Sequence, residues 1–343
     1  MIGCFANRCF TYCTDDTACA SDANGTSCVA NRCVTCEDGT DGEYVVTGTD
    51  ENIMCTTGNL KMDADTVSMP NLLKVGNLLF NNSGSQTAPR MLSINVPELR
   101  EVGAIQIYYK DGMNELSFPK LRSIDDGIST SESVVRCDAL FYGDADVVLT
   151  SFSMPQLASI TCNLKLESVV ADSYDFSALA EILGDITITN AKGAIQFPAL
   201  AGSYLGTLKV EGTALLQSID IPNLELIKEI SIKNNAALET ISMARLANIG
   251  FMEISQNPVL TSIQFPMLEE FGEGSMVSID HNAELPCMSL CAFKDVIYEE
   301  DGTETLSTVG EDLFPGNKSD AACPDASNPD TNYMVWTACP ASE

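Results

Sequence analysis

Apolar and polar positions repeat along this chain on two scales. The short scale is alternation. GNLKM at Gly58, GNLLF at Gly76, GAIQI at Gly103, GDITI at Gly184 and GTLKV at Gly206 each follow a turn residue with apolar-x-apolar, and KEISI at Lys228 and FMEI at Phe251 continue the series. Such a triplet sends its two apolar side chains to one face, as a strand does. The long scale is the return: from Leu164 through Ile186, Leu208 and Ile230 to Met252, the first apolar position steps by 22 residues each time. A single short strand cannot bury its face alone. Stacked copies can, so the pattern predicts a solenoid with parallel ladders.

Two further motifs keep the same phase. The first is an apolar residue, usually Pro, any residue, then Leu. It occurs as MPNL at Met69, VPEL at Val96, FPKL at Phe118, MPQL at Met154, FPAL at Phe197, IPNL at Ile221 and FPML at Phe265, with looser copies FSAL at Phe176 and MARL at Met243. Its leucines are Leu72, Leu99, Leu121, Leu157, Leu179, Leu200, Leu224, Leu246 and Leu268, spaced 21 to 24 apart except for longer steps into Leu99 and Leu157. Proline fixes φ and lacks a donor, which suits the corner of a coil better than a ladder strand. The second motif places Asn235, Asn257 and Asn282 three positions after Ile232, Ile254 and Ile279, with Leu238, Leu260 and Leu285 three further on. An inward asparagine ladder would satisfy turn backbone groups that a coil cannot otherwise pair. The expected fold is mainly β: a right-handed parallel β-solenoid of about ten coils of ~22 residues over 56–286, interrupted by an irregular insertion at about 125–152. At about 4.8 Å per coil the rod would be roughly 50 Å long.

The G-x-L-x-I strands, F-P-x-L corners and N-x-x-L turns together resemble the receptor L-domain superfamily, a leucine-rich-repeat-like solenoid group. That superfamily includes the ligand-binding L domains of insulin and growth-factor receptors and similar repeats in fungal cell-wall glycoproteins. HNAELPC, from His281 to Cys287, is similar to the N-P-x-L-C segment that closes such domains, and the resemblance covers about 56–291. This chain differs from one receptor L domain in its larger number of coils and in the insertion between Ile124 and Phe152. The resemblance implies a ligand-binding ectodomain.

Cysteine usage changes the picture at the two ends. Of 14 cysteines, Cys4, Cys9, Cys13, Cys19, Cys28, Cys33, Cys36 and Cys55 precede residue 56. Zinc would need matched short spacings, but only Cys33 and Cys36 have one and the sole histidine is His281. A disulfide frame in an oxidising, extracellular or cell-surface compartment is the expected reading. Residues 1–55 then form a disulfide-rich module, of open pairing, that either recognises a partner or shields the first coil's edge. Residues 287–343, with Cys287, Cys291, Cys323 and Cys339, read as a disulfide-pinned C-terminal cap. Cys137 and Cys162 are expected to pair, tying the insertion to the next coil. Asn24, Asn81 and Asn317 stand in N-glycosylation sequons. The opening MIGCFANRCF has no basic or apolar leader region, so export implies a signal peptide outside this sequence.

Charge narrows the partners. With 48 acidic against 18 basic residues the formal charge is -30, which opposes nucleic-acid binding and docking on anionic lipid. No run approaches the roughly 18 apolar residues of a membrane span, so direct insertion is not expected. Self-association or other extracellular proteins and glycans remain as partners.

Candidate chemistry is sparse. His281 falls in a turn beside the asparagine series and reads as a turn residue, not a base. Outward strand positions Lys165, Glu167, Lys209, Glu211, Ser231, Lys233, Glu253 and Asp280 alternate in sign, as on a solvated or lateral-contact face. The acidic loops at 37–43 and 299–301 offer oxygen ligands to Ca2+, but neither has the EF-hand pattern and no cofactor is expected. Tyr108, Tyr109, Phe141 and Tyr142 lie in or near the irregular coils, as docking aromatics or as insertion packing. The expected role is non-enzymatic: a rigid acidic building block of a cell-surface layer or extracellular filament. The alternatives are a receptor- or adhesin-like ectodomain and, more remotely, a polysaccharide-active β-helix enzyme.

Overall fold

The computed structural model describes residues 44–51, 53–80, 92–109, 112–125, 138–143, 147–201, 205–272 and 277–286, with positions 289 and 296 and the backbone of the short strands at 2–5, 8–11, 27–29 and 32–34. It is mainly β, with parallel strands wound into a solenoid of about nine turns and almost no helix among the described residues. About nine turns stand where about ten coils were expected.

One long sheet runs the length of the rod. Its successive strands include Cys55–Met62, Lys74–Phe80, Glu101–Tyr108, Asp138–Tyr142, Asn163–Glu167, Ile186–Thr189, Leu205–Glu211, Leu226–Lys233, Asn248–Ser255 and Val277–Asp280, all paired in parallel. Alternation supplies the inner face: Leu60, Leu78, Ile105, Ala139, Leu164, Ile186, Leu208, Ile230 and Met252 stand in one register column, each at most 0% exposed. A second wall is built by shorter strands such as Lys192–Gln196, Leu215–Asp220, Thr240–Ser242 and Ser262–Gln264. Between the walls a single core runs through every turn. An aromatic column fills its middle: Phe152 lies 4.9 Å from Phe141 and 5.6 Å from Phe176 between ring centroids, and Phe176 lies 5.3 Å from Phe197.

Two of the glycines before the triplets have a steric cause in the neighbouring coil's backbone. A Cβ on Gly103 would lie 2.2 Å from the Gly76 carbonyl oxygen, and one on Gly250 2.4 Å from that of Lys228. At Gly103 and Gly250 the coils touch backbone to backbone, with no room for a Cβ. The same point divides the sheet strand in two. In one coil Ser123–Ile124 pairs with the start of Glu101–Tyr108, and Asp138–Tyr142 pairs with its end. Within the stretch 125–152 assigned to an insertion, the chain from Asp138 onward is thus back in the ladders, with Val148–Leu149 and Ser151–Ser153 also paired.

The proline motif forms a β-turn. Leu72, Leu99, Leu121, Leu157, Leu179, Leu200, Leu246 and Leu268 each donate their main-chain N–H to the carbonyl three residues back at 3.0–3.3 Å. Proline sits at the second turn position, whose φ it pre-sets and whose N–H the turn does not use.

At the opposite corner, the six coils from Ser168 onward each pass through one residue of left-handed backbone: Ser168 (φ 55°), Asn190 (52°), Gly212 (66°), Asn234 (57°), Gln256 (56°) and His281 (54°). The next position is inward and buried. It reads Val169, Ala191, Thr213, Asn235, Asn257, Asn282, so the column changes from apolar to polar toward the C-terminal end. Asn257 Nδ2 donates to the Ile232 carbonyl (3.0 Å) and to Asn282 Oδ1 (3.0 Å), while its Oδ1 accepts from Asn235 N (3.1 Å) and Nδ2 (2.9 Å). Thr213 closes the ladder, its N–H and hydroxyl both donating to Asn235 Oδ1 at 3.0 and 2.7 Å.

Candidate functional surface

The outward face of the long sheet carries two columns between its inward rows. One reads Lys61, Leu79, Gln106, Leu140, Lys165, Thr187, Lys209, Ser231, Glu253, Ser278; the other includes Tyr108, Tyr142, Glu167, Thr189, Glu211, Lys233, Ser255, Asp280. All eight polar positions assigned outward from the sequence fall in these columns, though Ser231 is buried between its neighbours at 7% exposure. The face has two characters. From Leu79 to Tyr142 it is mainly apolar and aromatic, with Gln106 among them and Lys61 before them; from Lys165 onward it is charged and hydroxylated.

The charged part is self-neutralising. Lys209 Nζ lies 2.8 Å from Glu211 Oε2, and Lys233 Nζ 2.5 Å from Glu253 Oε2 on the next coil. The Lys209 hydrogen bond and charge hold the Glu211 carboxyl below the usual glutamate range. Ion pairs also join neighbouring coils elsewhere: Lys74–Glu101 (2.7 Å), Lys120–Glu98 (2.7 Å), Lys192–Asp172 (2.7 Å) and Arg245–Glu225 (2.6 Å). Exposed pairs of this kind contribute little stability each, about 0–1 kcal/mol. Their effect is to leave the surplus carboxylates as the rod's net charge.

The four aromatics divide. Tyr109 and Phe141 are core residues, 1% and 0% exposed. Tyr108 and Tyr142 are neighbours on the outward face, with ring centroids 5.6 Å apart and planes inclined by 37°. Tyr142 is 38% exposed. Burial first, then the nearby Glu167 charge and Tyr142, raises the Tyr108 hydroxyl pKa, which puts Glu167 within electrostatic reach of that ring. Leu79, Gln106 and Leu140 complete the patch; their outward register was legible in the alternation, but the insertion between Ile124 and Asp138 hid that Tyr142 returns beside Tyr108.

His281 is the turn residue expected. Its Nδ1 lies 2.6 Å from Asp280 Oδ1, while the Ser278 hydroxyl donates to Asp280 Oδ2. The carboxylate, not the imidazole, contacts the serine, so this trio lacks the Ser–His–Asp order that proton transfer to imidazole needs. Glu101 and Asp125 line one cleft of about 120 Å³. Ligand pockets occupy roughly 300–1,000 Å³, and here Glu101 is paired with Lys74 while Asp125 accepts the Thr161 hydroxyl at 3.1 Å. A shallower cleft of about 340 Å³ at Glu225, Arg245, Asn248 and Met267 carries one carboxylate, already bound to arginine. Among the described residues no cluster of three or more metal-ligating side chains occurs, and no helix is long and apolar enough to cross a membrane.

Of the cysteines, Cys55 and Cys162 are described and disulfide-bonded, and their partners lie outside the described residues. Cys4 stands opposite Cys9, and Cys28 opposite Cys33, in two short antiparallel hairpins. Cys13, Cys19, Cys36, Cys137, Cys287, Cys291, Cys323 and Cys339 lie outside the described residues, as do the sequons at Asn24, Asn81 and Asn317 and the acidic loops at 37–43 and 299–301. No family model matches this chain, no curated protein is similar to it, and no solved structure matches it.

Proposed function

We propose that the protein is a non-enzymatic extracellular structural protein, a rigid acidic solenoid that serves as a building block of a cell-surface layer or filament. One observation carries this reading: a single apolar core passes uninterrupted through about nine turns, and five ion pairs between neighbouring coils tie its outside together. A rod about 40 Å long, at about 4.8 Å per turn, resists bending because each turn is held by ladder bonds, core and surface at once. Cystine-rich caps at both ends and right-handed winding, the hand that parallel crossovers take, belong to the same reading, as does kinship with receptor L domains. Head-to-tail contact through the caps would propagate without closing. The charge of -30 would keep rods apart laterally until a partner or cation neutralises them.

A second reading, a ligand-binding ectodomain, is favoured by the outward Tyr142, 38% exposed beside the half-buried Tyr108. Negative-stain electron microscopy of native material, with light scattering of the purified chain at physiological salt and Ca2+, separates the two. Regular fibres or sheets with an axial repeat near one rod length are expected. A monodisperse monomer at every concentration overturns the structural reading.

A further inference from the structure

The N-terminal module contains one eight-residue segment twice. CFANRCFT at Cys4 returns as CVANRCVT at Cys28, identical but for an apolar exchange at two positions. Both copies take the same backbone form. Ile2–Phe5 pairs antiparallel with Arg8–Thr11, and Ser27–Val29 with Arg32–Val34. In each hairpin only two residues, Ala then Asn, join the strands.

The register sets Cys4 directly opposite Cys9 and Cys28 directly opposite Cys33. Opposite residues of an antiparallel pair have Cα atoms about 4.5 or 5.5 Å apart, and a disulfide spans about 4.4–6.8 Å. Opposed positions also share one face of the pair. Strands of three or four residues make a hairpin that is marginal in water, so a bond across each pair supplies the staple it needs.

We propose that Cys4 bonds to Cys9 and Cys28 to Cys33, making the module a pair of hairpins each closed by its own disulfide. Two observations carry this: the register within each hairpin, and its repetition in the second copy of the motif. Each bond forms as two thiols pass two protons and two electrons to a disulfide oxidant, which leaves as two thiols. The eight cysteines before residue 56 allow 105 connectivities among themselves, and fixing these two bonds leaves three. In all three, Cys55, which is disulfide-bonded and opens the strand Cys55–Met62, takes Cys13, Cys19 or Cys36. One covalent tie then fastens the twin hairpins to the first coil. The proposal deepens the assembly reading by giving one cap a covalent frame, and rests on that reading only for an oxidising compartment.

The test is disulfide mapping of the full chain without reduction. Trypsin cuts after Arg8 and Arg32, between the two cysteines of each pair, and an Asp-specific protease cuts before Asp15, Asp22 and Asp38. Fragment 1–8, which holds Cys4 alone, should be found joined to 9–14, and fragment 22–32, which holds Cys28 alone, to 33–37. Tandem mass spectrometry of the joined peptides should place the bonds on Cys9 and Cys33, not on Cys13 and Cys36. Cys4→Ala should expose one free thiol, at Cys9, and leave the Cys28–Cys33 bond in place; if that variant fails to fold, the map of the unaltered chain decides alone. The second strands of the two hairpins lie close together, so the competing arrangement is a bond between hairpins. Fragment 1–8 joined to 22–32 or 33–37 would show it and overturn the proposal. Bonds from any of the four to Cys13, Cys19 or Cys36 overturn it as well, as do four free thiols after refolding with reduced and oxidised glutathione. Thiols free in native material that pair as proposed on such refolding would support the pairing and count against the extracellular reading instead.

Discussion

Asn257 shows how one side chain is tied into the coils on both sides of it. It is 0% exposed, and both its amide hydrogens and its carbonyl oxygen are used. Asn257→Ala would strand the Ile232 carbonyl and the Asn235 N–H in a dry core, where each unsatisfied group costs about 1–3 kcal/mol. A loss of about 3 kcal/mol is expected, read as a lower urea midpoint at unchanged slope. Tyr174 works similarly: its hydroxyl donates to the Val169 carbonyl at 2.6 Å and accepts from Ala171 and Lys192 N–H groups. Burial, the larger cause, raises its pKa despite those two bonds; burial likewise raises Tyr109. A tyrosine whose folded pKa lies above its unfolded value of about 10 contributes stability that is whole below pH 10. That contribution is lost as pH rises through the folded value, because the unfolded chain ionises first. Denaturation midpoints should therefore hold up to about pH 10 and fall above it, and ultraviolet titration should show tyrosinate appearing together with unfolding.

At the scale of the element, the sequence pattern names the parts and sterics explains them. Gly103 is legible as a recurrent glycine, but a recurrent glycine reads equally as a turn. The structure puts it at a backbone contact inside the strand, where a Cβ would meet the Gly76 carbonyl oxygen at 2.2 Å. Gly103→Ala should cost more than the ~1 kcal/mol gain or loss usual for this exchange, because neither backbone can retreat without breaking a ladder. Gly193, where a Cβ meets nothing within 4 Å, is the comparison; its φ of 73° leaves only the strain of left-handed backbone. Thermal unfolding of the two variants should rank them in that order. The aromatic column belongs to this scale too. Phe152 touches rings from the coils before and after it, so Phe152→Ala should remove about 3–5 kcal/mol. Guanidinium unfolding would measure it.

For the whole molecule, a shared core means that turns do not open singly. Each inner turn is held by two neighbours and each terminal turn by one. Hydrogen exchange should protect amides of Ile186–Thr189 through Leu226–Lys233 most, with opening spreading inward from the ends. A reducing agent should speed exchange near Cys55 and leave the strands from Ile186 to Lys233 slow. Central turns exchanging first would contradict the rigid-rod function.

The sequence by itself determined the strand alternation, the ~22-residue return, the proline corners and the asparagine column. All are local or strictly periodic, and each rests on one residue's conformation or hydrogen-bonding capacity. Only the tertiary structure decided that Thr213 ends the ladder and that Asp138 rejoins the sheet after the chain leaves it at Ile124. The same holds for Tyr108 meeting Tyr142 on the surface while Tyr109 and Phe141 turn inward. These facts depend on register between coils whose separation in sequence varies from turn to turn. A one-residue slip reverses every side chain's face, and where the period breaks the sequence no longer fixes that register; the packed core does.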